Sequence, residues 1–413
     1  MTNLSSRQKV YFIGIGGIGV SALARKYLSD GYQVLGSDRT TSLITTELEK
    51  LGVKIFLKQR AGNITADFDL VIYTIAIPAN HPELVRARKL GIKVLSYPEA
   101  LGKLSRKVFT IAIAGTHGKT TTTAMVAEIL LTARRDPMVI VGSLLRRAGA
   151  RQSNFIAGKG PLVVEACEYR RSFLNLSPQI LVITNIDNDH LDYYRDLADI
   201  QSAFAELASK VPKDGKVITE KEYLQIKLPI KLLVPGQHNQ RNAQAAIAVA
   251  KTVGISERLA RRALASFRGT WRRFEYKGKT KRGALIYDDY AHHPTEIRAT
   301  LAAAREEFPR RRIIVIFQPH LYSRTKLLFK EFTESFADAD EILILPIYAA
   351  REPKDKTISS RILATAIPRA TYVPNFLAVE KHLAKTDRHD LILNLGAGDV
   401  SLNHAFLNLR QRK

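Results

Sequence analysis

The sequence predicts an α/β protein built of three successive units, and three observations carry that prediction. Apolar strand patterns alternate with helical ones along the whole chain, and connections of that kind close parallel sheets with right-handed crossovers. Two of the units open on a glycine loop set between a strand and a helix, GIGGIG at 14–19 and AGTHGKTT at 114–121. Finally, 413 residues exceed what one hydrophobic core usually organises.

In the first unit VYFIGI reads as a buried strand, VSALARKYL as a helix and YQVLGSD as the next strand, ending in Asp38. Further strands are expected at 70–76 and 93–97. The second unit opens at VFTIAIAGTHGKT and continues with strands at 138–142, 161–166 and 180–186. Helices are expected over IQSAFAELASKV and NAQAAIAVAKTV. The third unit follows FRGTWRRFEYKG, with strands at 284–290, 312–319, 341–348 and 390–396. The expected boundaries therefore fall near 105 and 270, giving units 1–105, 106–270 and 271–413.

Composition narrows the class. Hydrophobic residues at 46% and charged residues at 25% fit a soluble globular protein. No apolar run is long enough to span a membrane, and the start shows no signal peptide, so no membrane association and a cytoplasmic location are expected. Cys167 is the single cysteine, which excludes an internal disulfide framework. The net charge of +24 fits either nucleic acid or highly anionic small substrates. The basic residues are spread along the chain, clusters such as RRR at 310–312 read as solvated loops, and no recognition motif accompanies them. A nucleic-acid partner is therefore not expected.

The first glycine loop, Gly14-Ile-Gly16-Gly17-Ile18-Gly19, would let a pyrophosphate approach the backbone and a helix N-terminus. Asp38, about 20 residues on, stands where a ribose hydroxyl is often bound. The residues alone leave open NAD, another nucleotide diphosphate, or a tight turn that binds nothing. The second loop is more specific for a nucleoside triphosphate. Backbone N–H groups over Gly115, Thr116, His117, Gly118, Lys119, Thr120 and Thr121 would cradle phosphates, with Lys119 reaching the outer ones and the Thr120 hydroxyl placed for Mg²⁺. It is shortened: Ile113 holds the place of the usual first glycine. The extra threonines, 121 to 123, are expected to open the following helix by capping its free N–H groups. Glu165 ends one expected strand, and Asp187, Asp189 and His190 end another. Glu165 and His190 could therefore meet the loop and hold a divalent metal. Cys167 reads as a packed neighbour, since no base accompanies it.

The pieces GIGGIG, GTHGKTTTT, EACEY, TNIDNDHLD, GQHNQRNAQAA, GTWRRFE, DDYAHHPTE, FQPHLYSRT and GAGD occur in one order. Together they resemble the Mur ligases of bacterial cell-wall synthesis, over essentially the whole chain, and within them the alanine-adding branch. The resemblance implies a Rossmann-like N-terminal domain, a central P-loop ATPase domain with a parallel sheet and a Rossmann-like C-terminal domain. It implies that Gly14, Gly16, Gly17, Ile18, Gly19 and Asp38 bind a UDP-sugar and not NAD. The implied substrates are UDP-N-acetylmuramic acid, L-alanine and ATP, with a first Mg²⁺ held by Thr120 and Glu165 and a second metal near the sugar carboxylate that His190 would help hold. His238, Asn239, Asn242, Arg273 and Asp289 would bind the nucleotide, and His292 and His293 would line the closed site. Lys119, His190, His320 and Arg324 would be catalytic, in a monomer or weak homodimer. A peptide-recycling relative is the near alternative, against which Glu296 leans. The charge leaves an ATP-dependent nucleic-acid binder as an alternative of another class.

Three departures accompany the resemblance. Residues 191–209 contain no lysine of the kind that several Mur ligases carbamoylate, which agrees with the alanine-adding branch. Leu321 stands where some members have arginine. Only 48 positions separate His190 from His238, so some peripheral strands of the central domain are expected to be missing.

Overall fold

The structure is a computed structural model, and residues 8–145, 152–228, 230–350 and 352–400 are described. Three separate sheets form along the chain. The first contains β1 (Lys9–Ile13), β2 (Gln33–Ser37), β3 (Lys54–Phe56), β4 (Leu70–Tyr73) and β5 (Lys93–Ser96) in the order β3-β2-β1-β4-β5. Every pairing in it is parallel. The order reverses at β1, and there the chain turns through Gly14–Gly17 into the helix Ile18–Ser29. A reversal of this kind opens a crevice at the strand ends.

The central sheet contains β6 (Thr110–Ala114), β7 (Met138–Leu145), β8 (Ser153–Ile156), β9 (Leu162–Glu165), β10 (Ile180–Ile183) and β11 (Lys216–Ile218), ordered β11-β10-β6-β9-β7-β8. Strand β6, TIAIA, is buried at every residue and lies between β10 and β9. This order sets the second glycine loop directly between Glu165 and the segment after β10. The sheet is not wholly parallel, as the sequence had suggested: β8 runs antiparallel to β7. Only seven residues join the two strands, whereas a parallel crossover takes roughly a dozen or more. Between His190 and His238 lie the helix Leu197–Ser209, β11 and the short helix Glu220–Tyr223.

The third sheet contains β12 (Glu275–Lys279), β13 (Leu285–Asp289), β14 (Arg312–Phe317), β15 (Glu341–Ile344), β16 (Ala370–Tyr372) and β17 (Asp390–Leu395), ordered β12-β13-β17-β14-β15-β16. Its pairings are parallel except for the β12–β13 hairpin.

One hydrophobic cluster runs from the N-terminal sheet into the central one, joining Val10, Phe12 and Leu23 to Phe155, Leu181 and Phe204. Each such side chain contributes about 1.5–3 kcal/mol on burial. The seam carries polar contacts too: Asn154 on β8 donates to the Ser21 hydroxyl at 2.7 Å.

Candidate active site

The phosphate loop takes its shape from two glycines. Gly115 has φ +129°, and a Cβ there would lie 2.0 Å from the Thr184 hydroxyl. Gly118 has φ +83°, and its Cβ would lie 2.4 Å from Asn242 Oδ1. The end of β10 laces the loop down: Thr116 N–H donates to the Asn185 carbonyl at 3.0 Å and His117 N–H to Asn185 Oδ1 at 2.9 Å. Gly118 caps the helix Lys119–Thr132 without any side-chain hydrogen bond, so the threonines do not cap it. Their hydroxyls point elsewhere. Thr122 donates to Asn242 Oδ1 at 3.2 Å, and Thr120 donates to both Glu165 oxygens at 3.0 and 3.1 Å. The first-turn N–H groups are left for an anion.

Glu165 is oriented from a second side by Gly142 N–H, 2.7 Å from Oε2. Thr120 and Glu165 thus present hard oxygen donors at the loop. That donor set fits Mg²⁺, which takes one or two protein oxygens and completes its shell with water and phosphate.

Lys119 curls back on its own loop. Its Nζ donates to the carbonyls of Gly115 and Thr116 at 2.6 and 2.9 Å and to Glu168 Oε1 at 3.0 Å. Burial works against its charge, but Glu168, Cys167 and Glu165 beside it hold the ammonium above the usual lysine value. The ring of His190 packs 4.8 Å from that of Tyr169. Its Nε2 faces Glu168 at 3.7 Å and Asp189 at 3.8 Å, whereas Glu165 pairs with Thr120. Glu168 thus stands between His190 and Lys119, while Glu165 faces Thr120. Cys167 is exposed to an interdomain cleft, and the protein packed around it, then the Glu168 charge, push its thiol up to about 12. It is no nucleophile at neutral pH.

Two cavities flank the loop. One, of about 520 Å³, is lined by His117, Gly118, Thr121, His238, Asn239 and Asn242 together with Arg273, Asp289 and Thr295 of the C-terminal domain. The other, of about 400 Å³, is lined by Ile18, Gly19 and Tyr97 of the N-terminal domain, Thr120 and Glu165 of the central domain, and Arg273 and Tyr290. Arg273 borders both. Burial, and then the Arg273 charge, push His238 down to about 4, so it faces the first cavity neutral. Asn239 donates to the Pro235 carbonyl at 2.7 Å and accepts from Asn242 at 3.3 Å. Asp289 accepts the N–H groups of Phe274 and Ala291 at 2.7 and 2.8 Å.

The C-terminal domain reaches over the loop through His117. Its Nε2 lies 3.0 Å from Asp187 Oδ2 and its Nδ1 3.5 Å from Glu296 Oε1. Burial disfavours the charge, but these two carboxylates raise the imidazole to about 9, so it is a cation at neutral pH. Thr295 donates to Asp187 at 2.8 Å, and His293 Nε2 donates to the Asn188 carbonyl at 2.9 Å. His293 Nδ1 accepts from Thr295 N–H as the cap of the helix Pro294–Glu307. His117, Asp187 and His293 bring one ligand atom each within 4.8 Å of one another. The ring nitrogens are nevertheless committed to hydrogen bonds, so the cluster is an interdomain knot and not a metal site. His293, expected to line the closed site, acts in that knot.

His292 donates through Nδ1 to the Tyr290 carbonyl at 2.9 Å, and burial pushes it down to about 4. His320 stacks on Tyr348, with centroids 5.8 Å apart, and accepts from Arg324 at 3.1 Å. At the first loop Gly14 has φ +75°, and a Cβ there would meet Thr74 at 2.5 Å. Asp38 also pins the loop itself: its Oδ2 accepts Gly16 N–H at 2.8 Å.

Three family models match the chain in succession: the Mur ligase family catalytic domain over residues 9–108, the Mur ligase middle domain over 113–227 and the Mur ligase glutamate ligase domain over 272–398. The UDP-N-acetylmuramate–L-alanine ligase of Clostridium kluyveri is 41% identical over 97% of this chain and 98% of its own length. The chain belongs to the Mur ligase family. The enzyme of the same name from Lachnospira eligens is 40% identical, over 95% of this chain and 96% of its own. The crystal structure of UDP-N-acetylmuramate-alanine ligase from Thermotoga maritima superposes with a TM-score of 0.83 at 31% identity, covering 97% of this chain and 98% of that one. The alignment to the Clostridium kluyveri enzyme runs over 453 positions, more than the 413 residues of this Mur ligase, so the relative carries segments that are absent here.

Two groups in this Mur ligase escaped the sequence reading. Glu168 lies inside the quoted EACEY stretch, but nothing in the spacing tells which glutamate faces the lysine. The segment after it is strained: Arg170 and Arg171 have φ of +51° and +53°, a conformation costing about 1–2 kcal/mol per non-glycine residue. Arg171 is tied down by Asp199 at 2.7 Å and Glu206 at 3.2 Å. The cationic state of His117 was equally hidden, because its partner Glu296 lies in another domain.

Proposed function

We propose that this Mur ligase joins L-alanine to the lactyl carboxylate of UDP-N-acetylmuramic acid, converting ATP to ADP and phosphate through an acyl phosphate. The observation that carries the reading is the phosphate loop standing as a partition between two cavities. Thr121, His117 and Gly118 face one, Thr120 and Glu165 the other, and Arg273 borders both. A nucleotide in the first and an acid in the second would present the terminal phosphate and the carboxylate to each other across the loop. The names of relatives about 40% identical over nearly the full chain support the substrates.

A carboxylate is a poor acyl donor, so its oxygen first attacks the terminal phosphorus and ADP leaves. The free amine of alanine then attacks the acyl carbon, and phosphate departs from the tetrahedral intermediate. Such chemistry asks chiefly for positioning and charge neutralisation. Lys119, the cationic His117, Arg273 and the free helix N–H groups would supply positive charge around the phosphates. His238, Asn239, Asn242 and Asp289 would hold the nucleoside, and residues 14–19 the UDP end of the sugar. Mg²⁺, held by Thr120 and Glu165, would neutralise phosphate charge. The substrates fit a cytoplasmic enzyme, which we read as a monomer or weak homodimer, and no described helix is long and apolar enough to cross a membrane.

The test is phosphate release from ATP. Release is expected only when UDP-N-acetylmuramic acid and L-alanine are both present with Mg²⁺. A tripeptide acceptor outperforming alanine would overturn the assignment of the acceptor, and no release with either would overturn the ligase reading.

A further inference from the structure

We propose that Glu168 is a positioning residue of the phosphoryl-transfer site, acting through Lys119 and His190. The inference rests on the ligase reading above and adds a residue to it. Three observations point the same way. First, the carboxylate is nearly sealed from solvent, with side-chain exposure of 3%, and its two oxygens lie 3.0 and 2.9 Å from the Lys119 ammonium. Second, Oε1 lies 3.7 Å from His190 Nε2, so one carboxylate stands beside both Lys119 and His190, the two basic side chains that border the loop. Third, the backbone is built to hold it there. The Glu168 carbonyl accepts from the Tyr194 hydroxyl at 2.6 Å and from Arg171 N–H at 2.9 Å. The left-handed pair Arg170–Arg171 follows at once, with Arg171 clamped to Asp199 and Glu206. A strained turn persists where its surroundings over-determine it, and such turns cluster at functional sites.

A buried carboxylate at a phosphate site opposes anion binding. Its presence therefore favours orientation of the lysine at some cost in nucleotide affinity. Glu168→Gln keeps the shape and removes the charge. The expected outcome is a split: kcat falls at least about 30-fold, while the dissociation constant for Mg-ATP, measured by calorimetry, stays level or decreases. In a Lys119→Ala background the same change should tighten Mg-ATP binding, since the carboxylate without its lysine only repels phosphate. Glu168→Asp, which retains the charge, should recover part of the lost kcat.

Full activity in Glu168→Gln would overturn the inference. So would weakened Mg-ATP binding together with a lowered melting temperature, which marks a merely structural residue. If Glu168→Gln does not fold, Glu168→Asp decides alone: wild-type kcat would sink the idea, and reduced kcat at unchanged affinity and melting temperature would uphold it. The wild-type protein run alongside separates the two readings. If it neither binds Mg-ATP nor turns over, the ligase reading fails; if it does both and Glu168→Gln matches it, only the role of Glu168 fails.

Discussion

Arg324 and Asp189 form a buried ion pair across the seam between the C-terminal and central domains, with Nη2 2.9 Å and Nε 3.2 Å from Oδ1. Burial opposes ionisation of Asp189, but the Arg324 charge, helped by the neighbouring histidines, holds its carboxyl well below the usual range. Removing one partner of such a pair strands the other charge, at about 3–5 kcal/mol. Arg324→Ala is therefore expected to lower the melting temperature and to enlarge the radius of gyration in small-angle scattering. Unchanged values for both would show that the pair does not hold the seam.

His117 gives a pH dependence of defined sign. Its folded value of about 9 lies above the ordinary 6.5. Its stabilising contribution is therefore complete below about pH 6.5 and disappears as the pH rises through about 9. The shift corresponds to roughly 3 kcal/mol at most, and the depressed Asp187 reports the same interaction, not a second one. The difference in unfolding free energy between wild type and His117→Asn should be largest near pH 6 and vanish near pH 10. A difference independent of pH would contradict the cationic assignment.

Gly142 leaves room for the glutamate that orients toward Thr120. A Cβ at this position would lie 2.7 Å from Glu165 Oε2. Displacing a group that sets a metal ligand costs about 10–100-fold in metal affinity. Gly142→Ala should raise the Mg²⁺ concentration for half-maximal phosphate release about tenfold, with far-ultraviolet dichroism unchanged. An unaltered Mg²⁺ requirement would argue against Glu165 as a ligand.

Away from the site, Glu83 is fully buried and accepts from the Tyr11 hydroxyl at 2.9 Å, the Ser37 hydroxyl at 2.6 Å and Asn63 Nδ2 at 2.7 Å. Glu83→Ala would leave the Tyr11 and Ser37 hydroxyls without an acceptor and Asn63 Nδ2 with the Lys58 carbonyl alone, each lost bond costing about 1–3 kcal/mol. Urea titration should show a loss of 3 kcal/mol or more. A loss below about 1 kcal/mol would mean that water replaces the carboxylate.

The legible part of the fold was its interior. Strands flanked on both sides, such as β6 and β17, are buried at every residue and announce themselves as mostly apolar runs. The strands that went unread, β3, β8, β11, β12 and β16, all lie at sheet edges. An edge strand has one neighbour and a partly wetted face, so EYKGK becomes β12 only because β13 offers it a ladder. The site divides in the same way. Loops such as GTHGKT declare their chemistry locally, through glycines that only a phosphate cradle requires. Partnerships do not: Lys119 meets Glu168 across 49 positions and Arg324 meets Asp189 across 135. Asp38 shows that a position familiar from the sequence can carry a local bond besides, here to the amide of Gly16.

The 400 Å³ cavity takes its walls from all three domains. A cleft whose walls belong to separate domains exists only while those domains meet, so each contact a ligand makes across it is also a tie between them. A compound that filled it would bind all three domains at once, competing with the acid placed there while leaving the nucleotide cavity open.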